Sequence, residues 1–236
     1  MSENKQPRYV ALIPAAGVGA RMAAASPKQY LPLLGKPMLQ HTVEAFAASD
    51  LVARTYVVVS ADDGYVDGLA LPGSVTVLRC GGATRMDSIL NGLRALAGEL
   101  GDDDMVLVHD AARPGLTPEL IRKLIEEVDG NPAGGLLALP VVDTVKTTRG
   151  GDVRTTPRDG LWLAQTPQMF SYALLLRALG SAPDPAAITD DASAVEMLGF
   201  SPQLVEGHPR NLKVTLPSDI RIAEMYLQEH RKEDTE

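Results

Sequence analysis

Aromatic side chains make up only 4% of this 236-residue sequence, with one tryptophan, Trp162, and three phenylalanines. An interior built on rings is thereby excluded, and the many Ala, Val, Leu and Ile residues suggest helices packed closely on a sheet. Cysteine is rarer still: Cys80 stands alone, which rules out an internal disulfide and any multi-cysteine zinc site. A reducing, cytoplasmic setting is expected. Four histidines support no claim of a catalytic triad. Basic residues are in deficit, 22 Lys and Arg against 30 Asp and Glu, for a net charge of −8. Affinity for nucleic acid comes largely from a basic face that neutralises phosphates, so no nucleic-acid partner is expected. No apolar run approaches the ~18 residues that span a membrane, and no membrane association is expected. Lys5 and Arg8 precede an apolar stretch that imitates a secretory leader, but Pro14 and Gly17 interrupt it, so no cleaved leader is expected.

What is present describes a folded α/β protein: hydrophobic residues are 45% and charged residues 22%. Unalternating apolar, β-branched runs at Tyr9–Pro14, Thr55–Ser60, Val75–Arg79, Met105–His109 and Gly135–Leu139 read as strands covered on both faces. Between them, helices are predicted over Met38–Ser49, Thr84–Leu96 and Pro118–Val128, the last with Thr117 as N-cap and Pro118 in the first turn. Such βα alternation indicates a Rossmann-like fold, a mostly parallel twisted sheet flanked by helices. The segment 141–165 breaks the rhythm, with Thr and Val alternating around Gly150-Gly151. It reads as a projecting β-hairpin arm. Further helices are predicted over Tyr172–Leu179, Asp191–Leu198 and from Pro217 onward, with a strand at Gln203–Glu206. With no internal repeat and no long linker, residues 1–236 are expected to form a single domain.

After the first strand comes Pro14-Ala-Ala-Gly17-Val-Gly19-Ala-Arg21-Met22. Glycines after a strand permit close backbone approach, and the amides at a following helix start can bind phosphate. The dinucleotide fingerprint fails because Met22 occupies the third glycine position; the P-loop fails at Tyr30 and at Pro37. There remain two cations, Arg21 and Lys28, the second held in a loop restricted by Pro27 and Pro32. They suit a triphosphate, arginine bridging two oxygens and lysine giving a compact charge, or else they are solvated surface groups.

The string Pro-Ala-Ala-Gly-Val-Gly-Ala-Arg-Met followed by Pro27-Lys-Gln-Tyr-Leu resembles the sugar-phosphate nucleotidylyltransferases. The further matches are Gly81-Gly82, Arg85, Asp87-Ser88, His109-Asp110-Ala-Ala-Arg113-Pro114, Asp143-Thr144-Val-Lys146, Arg158-Asp-Gly-Leu-Trp162, Thr166-Pro-Gln, Ile188-Thr189-Asp190 and Asn211-Leu-Lys213-Val-Thr. Together they are similar to the 2-C-methyl-D-erythritol 4-phosphate cytidylyltransferase family, over nearly the whole chain. The resemblance implies transfer of CMP from CTP to methylerythritol phosphate with release of pyrophosphate, a divalent cation, usually Mg2+, and a homodimer joined through the arm. It implies that Arg21 and Lys28 are catalytic, and that Ala15, Ala16, Gly17, Gly82, Arg85, Ser88 and Asp110 bind the nucleotide, with Asp110 also the metal contact. Arg113, Thr144, Arg158, Thr166, Thr189 and Lys213 are implied for the second substrate, Thr144 and Arg158 coming from the partner's arm.

The chain departs from the family where many members carry an acid after the second glycine, having Ala83 and Thr84 instead. Backbone groups are expected to keep the preference for cytosine. Cys80 is read as a packed strand-end residue and His109 as structural, since no zinc motif accompanies it. The competing readings are a cytidylyltransferase for ribitol 5-phosphate, a nicotinamide-dependent reductase, which the missing glycine opposes, and a non-catalytic nucleotide-binding regulator.

Overall fold

In the segment Tyr9–Pro14, Val10 and Leu12 enter one hydrophobic cluster while Ala11 and Ile13 enter another. Successive side chains of a strand point to opposite faces, so an apolar residue at every position requires cover on both sides. The computed structural model describes residues 7–17, 27–181 and 187–233, with backbone alone for 230–233. Its strands are β1 (Tyr9–Pro14), β2 (Pro32–Leu33), β3 (Lys36–Pro37), β4 (Val52–Val58), β5 (Val75–Leu78), β6 (Met105–Val108), β7 (Gly135–Pro140), β8 (Val145–Arg149), β9 (Asp152–Thr156), β10 (Trp162–Ser171) and β11 (Gln203–Glu206). The helices are α1 (Met38–Ala47), α2 (Arg85–Ala95), α3 (Pro118–Val128), α4 (Tyr172–Gly180), α5 (Asp191–Glu196) and α6 (Pro217–Glu233).

Seven strands form the main sheet in the order β11-β7-β10-β6-β1-β4-β5. All neighbours pair in parallel except β10, which runs antiparallel to both β6 and β7. α2, α4 and α5 cover one face through Ile89, Leu93, Leu175 and Val195; α1 and α3 cover the other through Leu39, Phe46, Ile121 and Leu124. The chain proceeds outward from β1 to β4 and β5, then returns to lay β6 on the opposite side of β1. That reversal leaves a crevice beyond the carboxyl ends of β1 and β6, where open α/β sheets bind ligands. No helix among the described residues is long and apolar enough to cross a membrane.

The fold is a mostly parallel α/β domain as expected, and Pro118–Val128 is helical over the predicted span, with the Thr117 side chain accepting from Leu120 N–H. The arm differs from expectation. Only β8 and β9 make the two-stranded hairpin, turning through Gly150 and Gly151 at φ +58° and +93°, a pair of positive angles suited to glycine. Residues 162–165, assigned to the arm from sequence, instead open β10, with Trp162 opposite Pro140 and Leu163 opposite Leu139. Thr144 and Arg158 therefore flank the hairpin rather than lie within its strands. The predicted strand Thr55–Ser60 also begins earlier, at Val52, because its exposed first half still pairs with β1.

At the end of the sheet away from the crevice, the Asp104 carboxylate is nearly buried. It accepts from the Arg8 backbone N–H at 2.9 Å, Arg8 Nε at 3.1 Å and Gly101 N–H at 2.9 Å. Burial alone would raise its pKa, but the Arg8 guanidinium and these donors outweigh that and hold it below the ordinary carboxylate range. Asp104→Asn is expected to cost roughly 1–3 kcal/mol at neutral pH in urea unfolding. Because the folded-state pKa is lowered, this contribution is complete above the unfolded value of about 3.9 and is lost as pH falls through the folded value. The difference between parent and variant should accordingly shrink below about pH 4, and a constant gap from pH 7 to pH 3 would contradict this account.

Candidate functional site

Loops from both sides of the crevice close around a cavity of about 480 Å³ lined by Pro14 to Gly17, Lys28, Gln29, Gly82 to Arg85, Ser88, Asp110 to Ala112, Lys213 and Thr215. One wall is nearly bare backbone. Ala15 N–H donates to Val58 O at 2.7 Å and Gly81 N–H to Val59 O at 2.8 Å. A Cβ on Gly81 would stand 2.4 Å from the Ala16 Cβ, so the loops after β1 and β5 touch where only glycine fits. Gly82 N–H donates to Ser88 Oγ at 3.0 Å, and that hydroxyl donates to Thr84 O at 2.9 Å. Thr84 caps α2 through a reciprocal pair with Asp87, which anchors the loop to the helix start.

Lys28 belongs to a short 3-10 turn, Lys28–Tyr30. The turn is tied down twice: Gln29 Nε2 donates to Ala15 O at 2.6 Å, and Tyr30, stacked on Tyr65, donates to Asp63 Oδ2 at 2.8 Å. Lys28 Nζ donates to Val214 O at 2.9 Å, which brings it to the same cavity as Lys213. Arg21 and Gly19 lie outside the described residues.

Across the cavity, Asp110 gathers three cations. Its Oδ1 accepts from Arg85 Nε at 2.9 Å, and its Oδ2 from Lys213 Nζ at 2.9 Å and Arg113 Nε at 3.3 Å. Burial alone would raise the carboxyl pKa, yet Arg85, Lys213 and Arg113 hold it far below its ordinary range. Arg85 makes a second ion pair with the buried Asp191 at 2.9 Å and lies in the wall of a neighbouring cavity of about 460 Å³, which also contains Thr189. The Arg113 guanidinium is buried behind Asp110, donating to Asn211 O at 2.8 Å and to Ala164 O at 3.4 Å.

Thr166 is presented by a bulge in β10: four positions separate Ala164 from Gln168, against two between their partners Ala138 and Leu136 on β7. Its hydroxyl accepts from Asp110 N–H at 3.1 Å and lies 2.8 Å from His109 Nδ1. His109 Nε2 faces Arg113 O at 3.3 Å, so Nε2 carries the proton and Nδ1 accepts from Thr166. Burial pushes this imidazole down to about 3, consistent with a neutral structural group. Burial likewise pushes the half-buried Cys80 thiol up, and the residue packs against the core.

Ala15, Ala16, Gly17, Lys28, Gly82, Arg85, Ser88, Asp110 and Lys213 thus share one cavity. Thr166 and Arg113 stand behind Asp110, Thr189 lines the adjoining cavity, and Thr144 and Arg158 are exposed beside the hairpin. Gln29 and Thr215 escaped the sequence reading although they sit inside quoted motifs, next to the cations that drew attention. Asp191 carried only the signal of a helix start. Among the described residues no group of three or more His, Cys, Asp or Glu could hold a metal ion. Asp110 alone offers a carboxylate, with lone pairs beyond its three contacts, which fits an ion carried largely by ligand phosphates and water.

The family model described as IspD, 2-C-methyl-D-erythritol 4-phosphate cytidylyltransferase, matches residues 9–229. The protein of that name from Azoarcus sp. (strain BH72) is 52% identical over 230 residues, 95% of this chain and 96% of its own length. The one from Dechloromonas aromatica (strain RCB) is 49% identical, covering 94% and 98%. A solved structure, the crystal structure of 4-diphosphocytidyl-2C-methyl-D-erythritol synthase, superposes with TM-score 0.83 at 42% identity, over 95% of this chain and 100% of that one.

The charge cluster makes a stability prediction. Asp110→Asn leaves the buried Arg113 without its counter-ion and should cost roughly 3–5 kcal/mol in urea unfolding. Lys213→Ala, at a side chain 41% exposed, should cost under about 1 kcal/mol. Equal losses would contradict the assignment of Asp110 as the centre of the cluster.

Proposed function

The chain belongs to the 2-C-methyl-D-erythritol 4-phosphate cytidylyltransferase family, a family of nucleotidyltransferases in isoprenoid precursor biosynthesis, and we propose how its crevice divides the work of that reaction. The observation that carries the proposal is the meeting of a bare-backbone wall with Lys28, Lys213 and the Asp110 cluster around one cavity.

CTP lies with its base against Ala15, Ala16, Gly82 and Ser88, where fixed amides and carbonyls meet the pyrimidine edge and the small side chains admit a flat ring. Thr84, committed to capping α2, takes no part in place of the missing acid. Arg21 and Lys28 hold the triphosphate. A phosphate oxygen of methylerythritol phosphate attacks the α-phosphorus; the new P–O bond forms as the bond to pyrophosphate breaks, and no proton need move. Negative charge spreads during this displacement, so positioning and neutralisation are the protein's main contribution. Asp110 and the nucleotide phosphates would hold a divalent cation such as Mg2+, which would supply further charge neutralisation.

The second phosphate is received by Lys213, Thr189 and Arg113, whose terminal nitrogens each retain a second N–H, while Thr166, its one hydroxyl hydrogen given to His109, serves the site by holding the Asp110 peptide. Thr144 and Arg158 complete the site from the partner subunit's arm. Exposure of Val142, Val153 and Leu163 around the hairpin, at 71%, 65% and 59%, supports a covering partner. One domain spanning residues 1–236 with a dimerisation arm, in the cytoplasm, completes the proposal.

Pyrophosphate release should require methylerythritol phosphate, CTP and a divalent cation together. Comparable turnover with UTP would overturn the base assignment, and turnover only with ribitol 5-phosphate would overturn the substrate. Lys28→Ala should lower kcat by roughly 100-fold while changing the CTP Kd far less, since contacts that tighten in the transition state act on rate. Equal losses in both would count against that role.

The shared site is tested by mixing subunits. Lys28→Ala and Arg158→Ala are each expected to keep no more than about one hundredth of parental activity alone. After exchange, half the dimers carry one intact site of two, restoring about a quarter of parental activity. Failure of exchanged mixtures to regain activity would rule out the donated arm.

A further inference from the structure

Lys28 and Lys213 are 185 residues apart in sequence yet meet at a single peptide. The strap of residues 213–216 joins the turn Pro209–Asn211 to the start of α6 and lines the cavity through Lys213 and Thr215. Lys213 Nζ reaches Asp110 Oδ2 at 2.9 Å. In the next residue, Val214 N–H donates to Ala112 O at 2.8 Å while Val214 O accepts from Lys28 Nζ at 2.9 Å. The Val214 side chain is fully buried against Leu33, Met38, Ala112 and Ala223. A displacement of this peptide would therefore move the anchor of both cations.

The far end of the strap is held by one carboxylate. Asp219 Oδ2 accepts from Thr215 N–H and from Leu216 N–H, both at 2.8 Å, and Asp219 N–H returns to Leu216 O at 3.0 Å. These backbone donors lower its carboxyl pKa against a weaker upward push from burial. Asp219 itself is outside the lining of both cavities.

We propose that Asp219 is a positioning residue: through the strap it sets the Lys213 ammonium and the Val214 carbonyl that holds Lys28, so one carboxylate away from the reacting atoms controls both phosphate-facing cations. The inference rests on the reading that Lys28 and Lys213 serve the two phosphorylated substrates. Its physical basis is that small misplacements of charge near a transferring phosphoryl group cost rate steeply. Hydrogen-bond acceptance, rather than charge, is the working property of Asp219, since both strap amides donate to the same oxygen.

The test is steady-state kinetics of Asp219→Ala and Asp219→Asn, at a temperature where melting curves show each variant folded. Asp219→Ala should lower kcat/KM for methylerythritol phosphate roughly tenfold, with kcat reduced as well. Asp219→Asn, whose amide oxygen accepts the same two N–H groups, should stay within about twofold of the parent. On a Lys213→Ala background, much of the Asp219→Ala effect should disappear, because the two act through the same strap. Parental kinetics for Asp219→Ala would overturn the proposal. So would an Asn variant as impaired as Ala, or a full additional loss on the Lys213→Ala background. Lys28→Ala and Lys213→Ala serve as separate controls. If both turn over at the parental rate, the reading of the crevice fails; if they are impaired and Asp219→Ala is not, only the positioning role falls.

Discussion

One carboxylate, Asp110, organises the crevice. Three cations from three parts of the chain converge on it: Arg85 from the start of α2, Arg113 from the loop after β6, and Lys213 from the strap. Without that negative charge, the buried Arg113 would lose its counter-ion beside Lys213, and Arg85 would keep only Asp191, which is costly because a buried charge would be left unpaired. With it, and with Asp191 on Arg85, three cations face two carboxylates, and the cluster keeps a positive surplus before any ligand arrives. Phosphate-bearing ligands then find cations already placed and partly desolvated, where electrostatic interaction is stronger than in open water.

The sheet topology explains why this convergence is possible. β1 and β6 both run toward the crevice, and their carboxyl ends deliver Ala15 to Gly17 and His109 to Arg113 side by side. β10 runs the other way, so it enters the sheet from the crevice and brings its Thr166 bulge to the same place. The β7–β10 ribbon continues outward as the hairpin that carries Thr144 and Arg158 at its base.

Much of this was legible because the physics is local. Unalternating aliphatic runs marked β1, β5, β6 and β7, since a strand covered on both faces has no polar phase. Thr117-Pro118 marked the start of α3 by capping alone. The glycine pattern and family motifs identified most cavity-lining residues, including Lys213, far from the others in sequence. What escaped depended on distant partners. Residues 162–165 read as part of the hairpin, and 166–171, with Thr, Gln and a proline, show no strand signature; pairing with β6 and β7 makes Trp162–Ser171 one strand of the main sheet. The ion pair of Asp191 with Arg85 and the hold of Gln29 on Ala15 are long-range facts that no spacing rule encodes.

The contact between Ala16 and Gly81 has a consequence for the thermodynamics of recognition. Neither residue has a side-chain torsion, nor do the neighbouring Ala15 and Gly82, so the wall that Ala15, Ala16 and Gly82 form cannot adjust by changing rotamer and has no rotamers to freeze. Closing a flat ring against it orders little protein, and most of the contact free energy is retained rather than offset by lost side-chain entropy. The same rigidity leaves the wall little means of yielding to a bulkier ring, so discrimination there rests on shape that exists before binding.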